Sequence, residues 1–340
     1  MTARPQAGVE GPEPGRFERP PSIRSLFLLE ATAAMMRGRK RPSFGTQVEI
    51  SLRPQGDNRW HARFLASDTV EGIAAVAARE ADLAIINPSA LLTLAYRGTG
   101  MFRRPLPVRA VTVLPQYDFL MFAVPASSGL SYVEEIAEKR YPLQVSVRGQ
   151  EPSHSVHVVL ADVLAAAGCS FADLASWGGA VHYDAAMTNG KGAERFAGVE
   201  SGERTAIFDE AWPVWGEKAL QRGMTFLSLR EPALDRLTAM GYRRLTVTPQ
   251  FAPGLDRDVE VIDFSGWPLF CHAEAGDELI ERFCAALEER KAVIPWDGGP
   301  DDLPLHRMCG QFPEAPLDVP LHPAAQRFWK QQGYLPRSGC

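Results

Sequence analysis

The sequence contains few cysteines, and they show no pairing pattern. Among its 340 residues there are five, which lie far apart at Cys169, Cys271, Cys284, Cys309 and Cys340. None belongs to a Cys-x-x-Cys motif, so the spacing predicts neither a zinc ribbon nor a redox-active pair. Nothing in this distribution requires an oxidising compartment.

Long apolar runs and basic surface stripes are also missing. No apolar run approaches the roughly 20 residues that a membrane-spanning helix needs. The net charge is −5, and no stripe of Lys and Arg with interleaved aromatic residues occurs, so we expect no nucleic-acid partner. The one basic run, MRGRKRP at 36–42, is interpreted as the solvated end of a helix.

Motifs of the common enzyme classes are absent as well. The sequence has no Gly-x-Ser-x-Gly, His-Glu-x-x-His, Walker A or Gly-x-Gly-x-x-Gly motif. Sequence motifs therefore support no hydrolase, metalloprotease, P-loop or dinucleotide-binding function. His154 and His157 could share a helix face, but two imidazoles without a third ligand make a weak metal site. We predict neither a metal nor a cofactor.

Residues 1–22 are rich in proline, glycine and charge, which predicts a disordered tail. The apolar segment that follows, SLFLLEATAAMM, is interrupted by Glu30 and lies behind a long polar leader. A secretory signal needs an uninterrupted apolar core. We therefore expect a cytoplasmic protein, with a periplasmic location as the alternative if the start codon is misassigned.

The rest of the chain alternates between strand and helix patterns. A helical periodicity covers 23–38, ADLAIIN is a short apolar strand, and a strand at 205–208 precedes a helix with Asp209 as its N-cap. Asn87-Pro88-Ser89 has the form of an N-cap with proline at the first helical position. This alternation predicts an α/β protein with mostly parallel sheets.

Three predicted strand ends carry polar residues, at 87–89, 150–155 and 208–212. Ligands of open α/β sheets bind at such ends. The first two offer small polar groups at helix starts, which suit an anion. At the third, Asp209 and Glu210 beside Trp212 predict a pocket for a cationic or hydroxyl group. The alternative at each position is that these residues only cap helices.

Several segments, in order, resemble the TAXI-type solute receptors of TRAP transporters. They are AREADLAIINPSALLTLAYRGTGMF, SSGLSYVEEIAEKRYPLQVSV, SHSVHVVLADVLAAAGCSFADL and the C-terminal PLHPAA. The resemblance implies a type-2 periplasmic-binding-protein fold, in which two α/β lobes joined by crossover strands close over a small ligand. It places His322 in the turn before the last helix, which Phe328 and Trp329 pack onto the first lobe.

The resemblance also suggests a domain division. Residues 1–22 are the tail, 23–124 and 261–340 form lobe 1, and 125–260 form lobe 2. The chain departs from the family in lacking its N-terminal glycine-rich loop. It departs again where Asp209 and Glu210 replace a stretch that is mostly apolar in the family.

We therefore expect a two-lobed solute-binding protein for an organic acid or an amino-acid-like molecule. Its partners would be that small molecule and TRAP transporter membrane subunits. The alternative is a cytoplasmic enzyme of the decarboxylase or lyase type, in which His154 faces Asp209 or Glu210 as an acid–base pair. The predicted ligand contacts are Asn87, Ser89, Tyr117, Ser153, His154, Ser155, Asp209, Glu210, Trp212 and Trp267.

Overall fold

The computed structural model describes residues 23–36, 47–53, 61–67, 69–149, 153–185, 192–292 and 305–336. The chain divides into two compact units, Met1–Phe44 and Gly45–Cys340. In the first unit the described residues form helix α1, Ile23–Met36, as the apolar periodicity predicted. The predicted tail at 1–22 and the basic run after Met36 lie outside the described residues. Of the helices in the described ranges, none combines the length and apolar character needed to cross a membrane.

The second unit contains two five-stranded sheets. The first sheet, with the helices beside it, is called the first lobe. Its strand order is β1-β2-β3-β12-β4. Its strands are β1 Val48–Leu52, β2 Ala62–Ala66, β3 Leu83–Ile85, β4 Val108–Leu114 and β12 Trp267–His272. Its helices are α2 Glu71–Ala77, α3 Ser89–Arg97, α10 Asp277–Arg290, α11 Leu305–Met308 and α12 Pro323–Gln331.

The second sheet and its helices form the second lobe, with strand order β7-β6-β8-β5-β9. Its strands are β5 Met121–Pro125, β6 Gln144–Arg148, β7 Ala180–Asp184, β8 Ala206–Asp209 and β9 Met224–Phe226. Its helices are α4 Glu134–Glu138, α5 Ser155–Ala166, α6 Phe171–Ser176, α7 Gly192–Glu200, α8 Trp212–Leu220 and α9 Glu231–Met240. A two-stranded sheet of β10 Arg244–Val247 and β11 Val259–Ile262 completes it.

Two segments connect the lobes, residues 115–120 from β4 to β5 and residues 263–266 from β11 to β12. They run side by side: Phe264 N–H donates to the Asp118 carbonyl over 2.9 Å, and Gly266 N–H donates to the Gln116 carbonyl over 2.9 Å. Two adjacent crossovers between two α/β lobes are the two-lobed, periplasmic-binding-protein-like fold that the resemblance implied.

The sheets are mixed rather than mostly parallel. Among the described strands, β2 pairs parallel with β3, and β6 pairs parallel with β7 and β8. The strands next to the crossovers, β12 and β5, run antiparallel to their neighbours because each enters its sheet from the other lobe. β5, at 121–125, therefore belongs to the second sheet although the sequence assigned 23–124 to lobe 1. The remaining lobe boundaries stay predictions.

One apolar core runs without a break from the first lobe into the second. It includes the fully buried Leu91 and Leu94 of α3, Leu160 of α5 and Leu237 of α9. The Tyr242 hydroxyl adds a hydrogen bond of 2.8 Å to Asp162 within the same region. The lobes are therefore packed against each other beside the crossovers.

The C-terminal helix packs as the sequence predicted. His322 is the N-cap of α12, where its Nδ1 accepts a hydrogen bond from Ala324 N–H over 3.2 Å. Trp329 is fully buried and donates from Nε1 to the Val111 carbonyl of β4 over 2.9 Å. Phe328 packs against the same apolar cluster. His322 is thus a structural joint.

Candidate functional site

A buried carboxylate, Asp118, lies on the first crossover and reaches the second lobe. Its Oδ1 accepts hydrogen bonds from Phe119 N–H over 2.8 Å and from Ala211 N–H over 3.0 Å. Its backbone is held by Ser265 of the second crossover, whose Oγ accepts from Asp118 N–H over 3.0 Å. Asp118 therefore joins both crossovers to the turn between β8 and α8.

That turn differs from the predicted one. β8 extends through Asp209, and the N-cap of α8 is Ala211 in the left-handed region, with φ 59° and ψ 54°. Asp209 is not the N-cap, because its Oδ1 accepts the Glu210 N–H over 2.9 Å instead of a helical N–H. Trp212 is buried and packs on Phe226, with ring centroids 4.9 Å apart. The indole thus contributes to the apolar core of the second lobe.

Two arginines that sequence reasoning missed neutralise the predicted acid pair. Arg195 of α7 is fully buried and forms an ion pair with Asp209, and its Nε donates to Ser146 Oγ over 2.8 Å. Arg148, at the end of β6, forms an ion pair with Glu210, and its Nε lies 3.6 Å from Asp209 Oδ1. The position of Arg148 at the carboxyl end of an apolar strand was the signal in the sequence that could have found it.

The cluster therefore holds three carboxylates and two guanidinium groups. Asp118 is the acid without an arginine partner of its own among the described residues. Burial raises its pKa to about 6, the N–H groups of Ala211 and Phe119 and the charge of Arg148 lower it, and Asp209 raises it further. A desolvated carboxylate of this kind is a common feature of functional sites.

His154 lies beside this cluster as the N-cap of α5. Its Nδ1 accepts a hydrogen bond from Val156 N–H over 3.2 Å. Burial, followed by the charges of Arg148 and His157, lowers its pKa to about 3, so the ring is neutral at physiological pH. Within the described residues no hydrogen bond joins it to Asp209 or Glu210, and the acid–base pair of the enzyme alternative is not assembled.

The serines on either side of His154 close the lobes against each other. Ser153 Oγ donates to Glu71 of α2 over 2.8 Å, and the Ser153 carbonyl accepts from Val70 N–H over 3.0 Å. Ser155 begins α5 and is buried. The structure therefore engages Ser153 in contacts between the lobes, and the predicted role of both serines in ligand binding stays a prediction.

On the first lobe, Asn87 and Ser89 also face the crossovers. The Asn87-Pro88 peptide bond is cis. The Asn87 amide donates to the Phe264 and Gly266 carbonyls over 3.3 and 3.4 Å. The N-cap of α3 is Pro88 rather than the predicted Asn87, because the asparagine side chain is directed to the crossover.

Five buried polar atoms around this junction make no hydrogen bond within the described residues. They are Ser89 Oγ, Gln116 Oε1, Trp267 Nε1, Arg148 Nε and Glu210 Oε2. Each such atom costs about 1–3 kcal/mol when nothing satisfies it. Gln116 lies on the first crossover, Trp267 begins β12, Ser89 begins α3, and Arg148 and Glu210 lie at the ends of β6 and β8. Asp118 contacts Gln116 and the turn after Glu210. The junction between the lobes is therefore the candidate ligand site.

The structure places Tyr117 on a cavity that none of these five atoms lines. Its half-exposed side chain lines a space of about 270 Å³ together with Arg243, Asp263 and Phe312. Its ring contacts Phe251 edge to face at a centroid distance of 5.2 Å. Trp267, by contrast, starts β12 directly after the second crossover and carries one of the unsatisfied atoms. No group of three His, Cys, Asp or Glu side chains within the described ranges could hold a metal.

Comparisons with known proteins give structural likenesses only. No family model and no curated protein matches the sequence. Similar solved structures include a periplasmic transporter, with 15% identity, a TM-score of 0.35, and coverage of 78% of this chain and 81% of the other. Lactococcal OpuAC with glycine betaine has 14% identity, a TM-score of 0.33, and coverage of 78% and 82%. An ancestral arginine-binding protein bound to arginine has 15% identity, a TM-score of 0.31, and coverage of 68% and 74%. Values this low carry no conclusion about ligand or partner.

Proposed function

We propose that this protein binds a small solute at the junction of its two lobes. The observation that carries the proposal is the set of five unsatisfied buried polar atoms, Ser89 Oγ, Gln116 Oε1, Trp267 Nε1, Arg148 Nε and Glu210 Oε2. Buried polar groups in native proteins are almost always hydrogen bonded. A solute with matching donors and acceptors would satisfy several of them at once.

The chemistry of these atoms favours a small zwitterionic, amino-acid-like molecule. Ser89 and Trp267 offer donors that suit a carboxylate, whereas the Arg148 guanidinium is already paired with Glu210 and Asp209. Glu210 Oε2 and Gln116 Oε1 are acceptors that suit an ammonium or hydroxyl group. Among the predicted contacts we retain Asn87, Ser153, His154, Ser155 and Asp209 as groups that shape the site, and Ser89, Glu210 and Trp267 as groups that touch the solute.

The lobe contacts support a mechanism of ligand-linked closure. Two hydrogen bonds already cross between the lobes at Ser153, one to Glu71 and one from Val70 N–H, beside a shared apolar core. A solute that contacts both lobes would stabilise this arrangement by its differential affinity for the closed state. The sequence resemblance to TRAP receptors leads us to propose transporter membrane subunits as the partner that recognises it.

Native mass spectrometry of the purified protein, compared with its denatured mass, tests this function. We expect a small-molecule adduct in the wild type. A Ser89→Ala/Trp267→Phe double variant should lose it while keeping its thermal stability, because neither removed polar atom has a hydrogen-bond partner among the residues that the structure describes. Tyr117→Phe, in the separate cavity, is the matched control and should keep the adduct.

Retention of the adduct in the double variant would contradict the site, as would its loss in Tyr117→Phe alone. If the wild type carries no adduct, the same three proteins are tested by thermal shift with added amino acids and betaines. A wild type that none of these solutes stabilises would contradict the function.

A further inference from the structure

The buried charges at the lobe junction do not balance. Asp209 is paired with Arg195, and Glu210 is paired with Arg148. Asp118 is left with two backbone N–H donors, from Phe119 and Ala211, and no cation of its own among the described residues. Counting one charge for each group, three acids and two guanidinium groups leave one buried negative charge.

The groups that act on Asp118 come from several elements. They are Arg148 on β6, Asp209 at the end of β8, and the neutral side chains Gln116 and Ser265 on the two crossovers. Of these, Arg148 is already engaged by Glu210. The Gln116 amide is 3.5 Å from Asp118 Oδ2 and supplies only a weak donor. The excess charge is therefore local to Asp118.

Two unsatisfied acceptors belong to residues next to Asp118 or next to its hydrogen-bond partner along the chain. Gln116 Oε1 is two residues away on the same crossover, and Glu210 Oε2 is next to Ala211, whose N–H donates to Asp118. Two acceptors and an uncompensated carboxylate form a surface that attracts a cation with N–H or polarised C–H groups. Such a surface disfavours a second anion at the same point, because like charges in a buried site repel strongly.

We propose that Asp118 recognises a cationic nitrogen of the solute, so that the site selects molecules with a protonated amine or a quaternary ammonium over plain organic acids. This inference rests on the proposed solute-binding function and names the charge that the solute must carry. Asp118, on the crossover, is the specificity-determining acid. Asp209 serves to hold Arg195 and to shape the turn.

Binding of a cationic solute should release protons from Asp118. Burial raises the pKa of Asp118 to about 6, so near pH 6 the free site is a mixture of carboxylic acid and carboxylate. A cation bound beside the carboxylate favours its charged form and releases the remaining proton to the buffer. Binding should therefore release about half a proton near pH 6, and almost none at pH 8.

The test uses matched solutes that differ only in the charged nitrogen. The pairs are L-leucine with 4-methylpentanoate, and glycine betaine with 3,3-dimethylbutanoate. Thermal shift ranks them, and calorimetry in two buffers of different ionisation enthalpy measures affinity and proton release at pH 6 and pH 8. The full chain is used as wild type, Asp118→Asn and Asp263→Asn. Asp263 is the control because it is also a crossover acid with a raised pKa, partly buried, and it accepts a backbone N–H, from Ser265.

We expect the nitrogen-bearing member of a pair to bind at least about tenfold more tightly, a difference of about 1.4 kcal/mol. Asp118→Asn, which keeps an oxygen acceptor for Ala211, should remove both this preference and the proton release, and Asp263→Asn should keep both. If the plain acids bind equally well, or wild-type binding releases no proton at pH 6, solute binding stands and the inference is wrong. If none of the four solutes binds at millimolar concentration and no adduct co-purifies, the solute-binding function itself is contradicted.

Discussion

Two buried carboxylates, Asp209 at the end of β8 and Asp118 on the first crossover, differ in whether an arginine compensates their charge. Asp209 is paired with the fully buried Arg195 and approached by Arg148. Within the described part of the chain, the Oδ1 of Asp118 accepts only from backbone N–H groups, and burial raises the pKa of Asp118 to about 6. The first acid is part of a satisfied structural network. The second retains unbalanced charge, and it is the one available to a ligand.

The difference shows that the lack of a charge partner, rather than the number of adjacent acids, identifies a group available for ligand binding. Sequence reasoning selected Asp209 and Glu210 because two adjacent acids follow a strand. In the folded protein their charges are taken up by Arg195 and Arg148. The isolated acid at position 118, which had no local pattern around it, is the uncompensated one.

The largest expected effect comes from removing the compensated acid. Asp209→Asn leaves the Arg195 guanidinium buried without its charge partner. We expect the free energy of unfolding to fall by about 3–5 kcal/mol, the usual cost of breaking a buried ion pair from one side. Urea denaturation of the variant and the wild type measures this. A loss below about 1 kcal/mol, typical of exposed pairs, would mean that Asp209 is not the structural acid of the comparison.

His154 should give a pH dependence of similar size in acid. Its pKa is lowered from 6.5 to about 3 in the folded protein, so between these values the unfolded chain binds a proton that the folded chain does not. Stability is complete above pH 6.5 and is lost as the pH falls. Between pH 7 and pH 4, His154 should lower the free energy of unfolding of the wild type by about 3–4 kcal/mol. The His154→Asn variant keeps a cap acceptor and should not show this loss.

His322 is the matched control, because it caps α12 with the same geometry, φ −58° and ψ 137° against φ −59° and ψ 137° at His154. Burial lowers its pKa too, but Asp277 and the Ala275 carbonyl raise it. His322→Asn should therefore change the loss of stability between pH 7 and pH 4 less than His154→Asn does. Equal changes in the two variants would show that burial and neighbouring charges lower the two pKa values to the same extent.

Asp118 should give a pH dependence of stability with the opposite sign. A carboxyl with a raised folded pKa stabilises the protein below pH 3.8, and this contribution is lost as the pH rises through about 6. The rise in pKa corresponds to about 3 kcal/mol. The stability of Asp118→Asn relative to wild type should therefore increase by about that amount from pH 4 to pH 7. Denaturation curves at both pH values measure it, and a constant difference would mean that Asp118 is compensated after all.

The smallest effect is expected at the turn that links the two acids. Ala211 has φ 59°, a left-handed conformation that costs a side-chain-bearing residue about 1–2 kcal/mol. Ala211→Gly should remove this strain. The greater conformational entropy of glycine in the unfolded chain offsets part of the gain, so stability should rise by about 0.5–1 kcal/mol. Ala219→Gly, inside α8, is the control and should lower stability. Destabilisation by both substitutions would show that the turn is not strained.

The general fold was predictable because its signals are local. Strand and helix periodicity located β3, α3, α5 and α12, and the order of motifs indicated two lobes with crossovers. Helix starts were predicted less well where a tertiary partner competes for the cap. Asn87 binds crossover carbonyls, and Asp209 is drawn into β8 by Arg195. Neither competitor is adjacent in sequence.

The candidate site was predictable only in outline. The ends of strands are where a ligand site is expected from sheet topology, and Ser89, Ser153 and Glu210 were selected on that ground. The charge balance was not predictable, since it depends on Arg195 and Arg148 reaching Asp209 and Glu210 across separate elements. Tyr117 shows the same limit: its side chain points into another cavity although its neighbour Asp118 joins the site.

The most direct test of the proposed solute site is a crystal structure of the protein with the solute that co-purifies or that gives the largest thermal shift. We predict density for the solute between the lobes, with hydrogen bonds to at least two of the five unsatisfied atoms and a cationic nitrogen next to Asp118. Density in the cavity lined by Tyr117, Arg243 and Asp263 instead, with the junction unchanged, would contradict it.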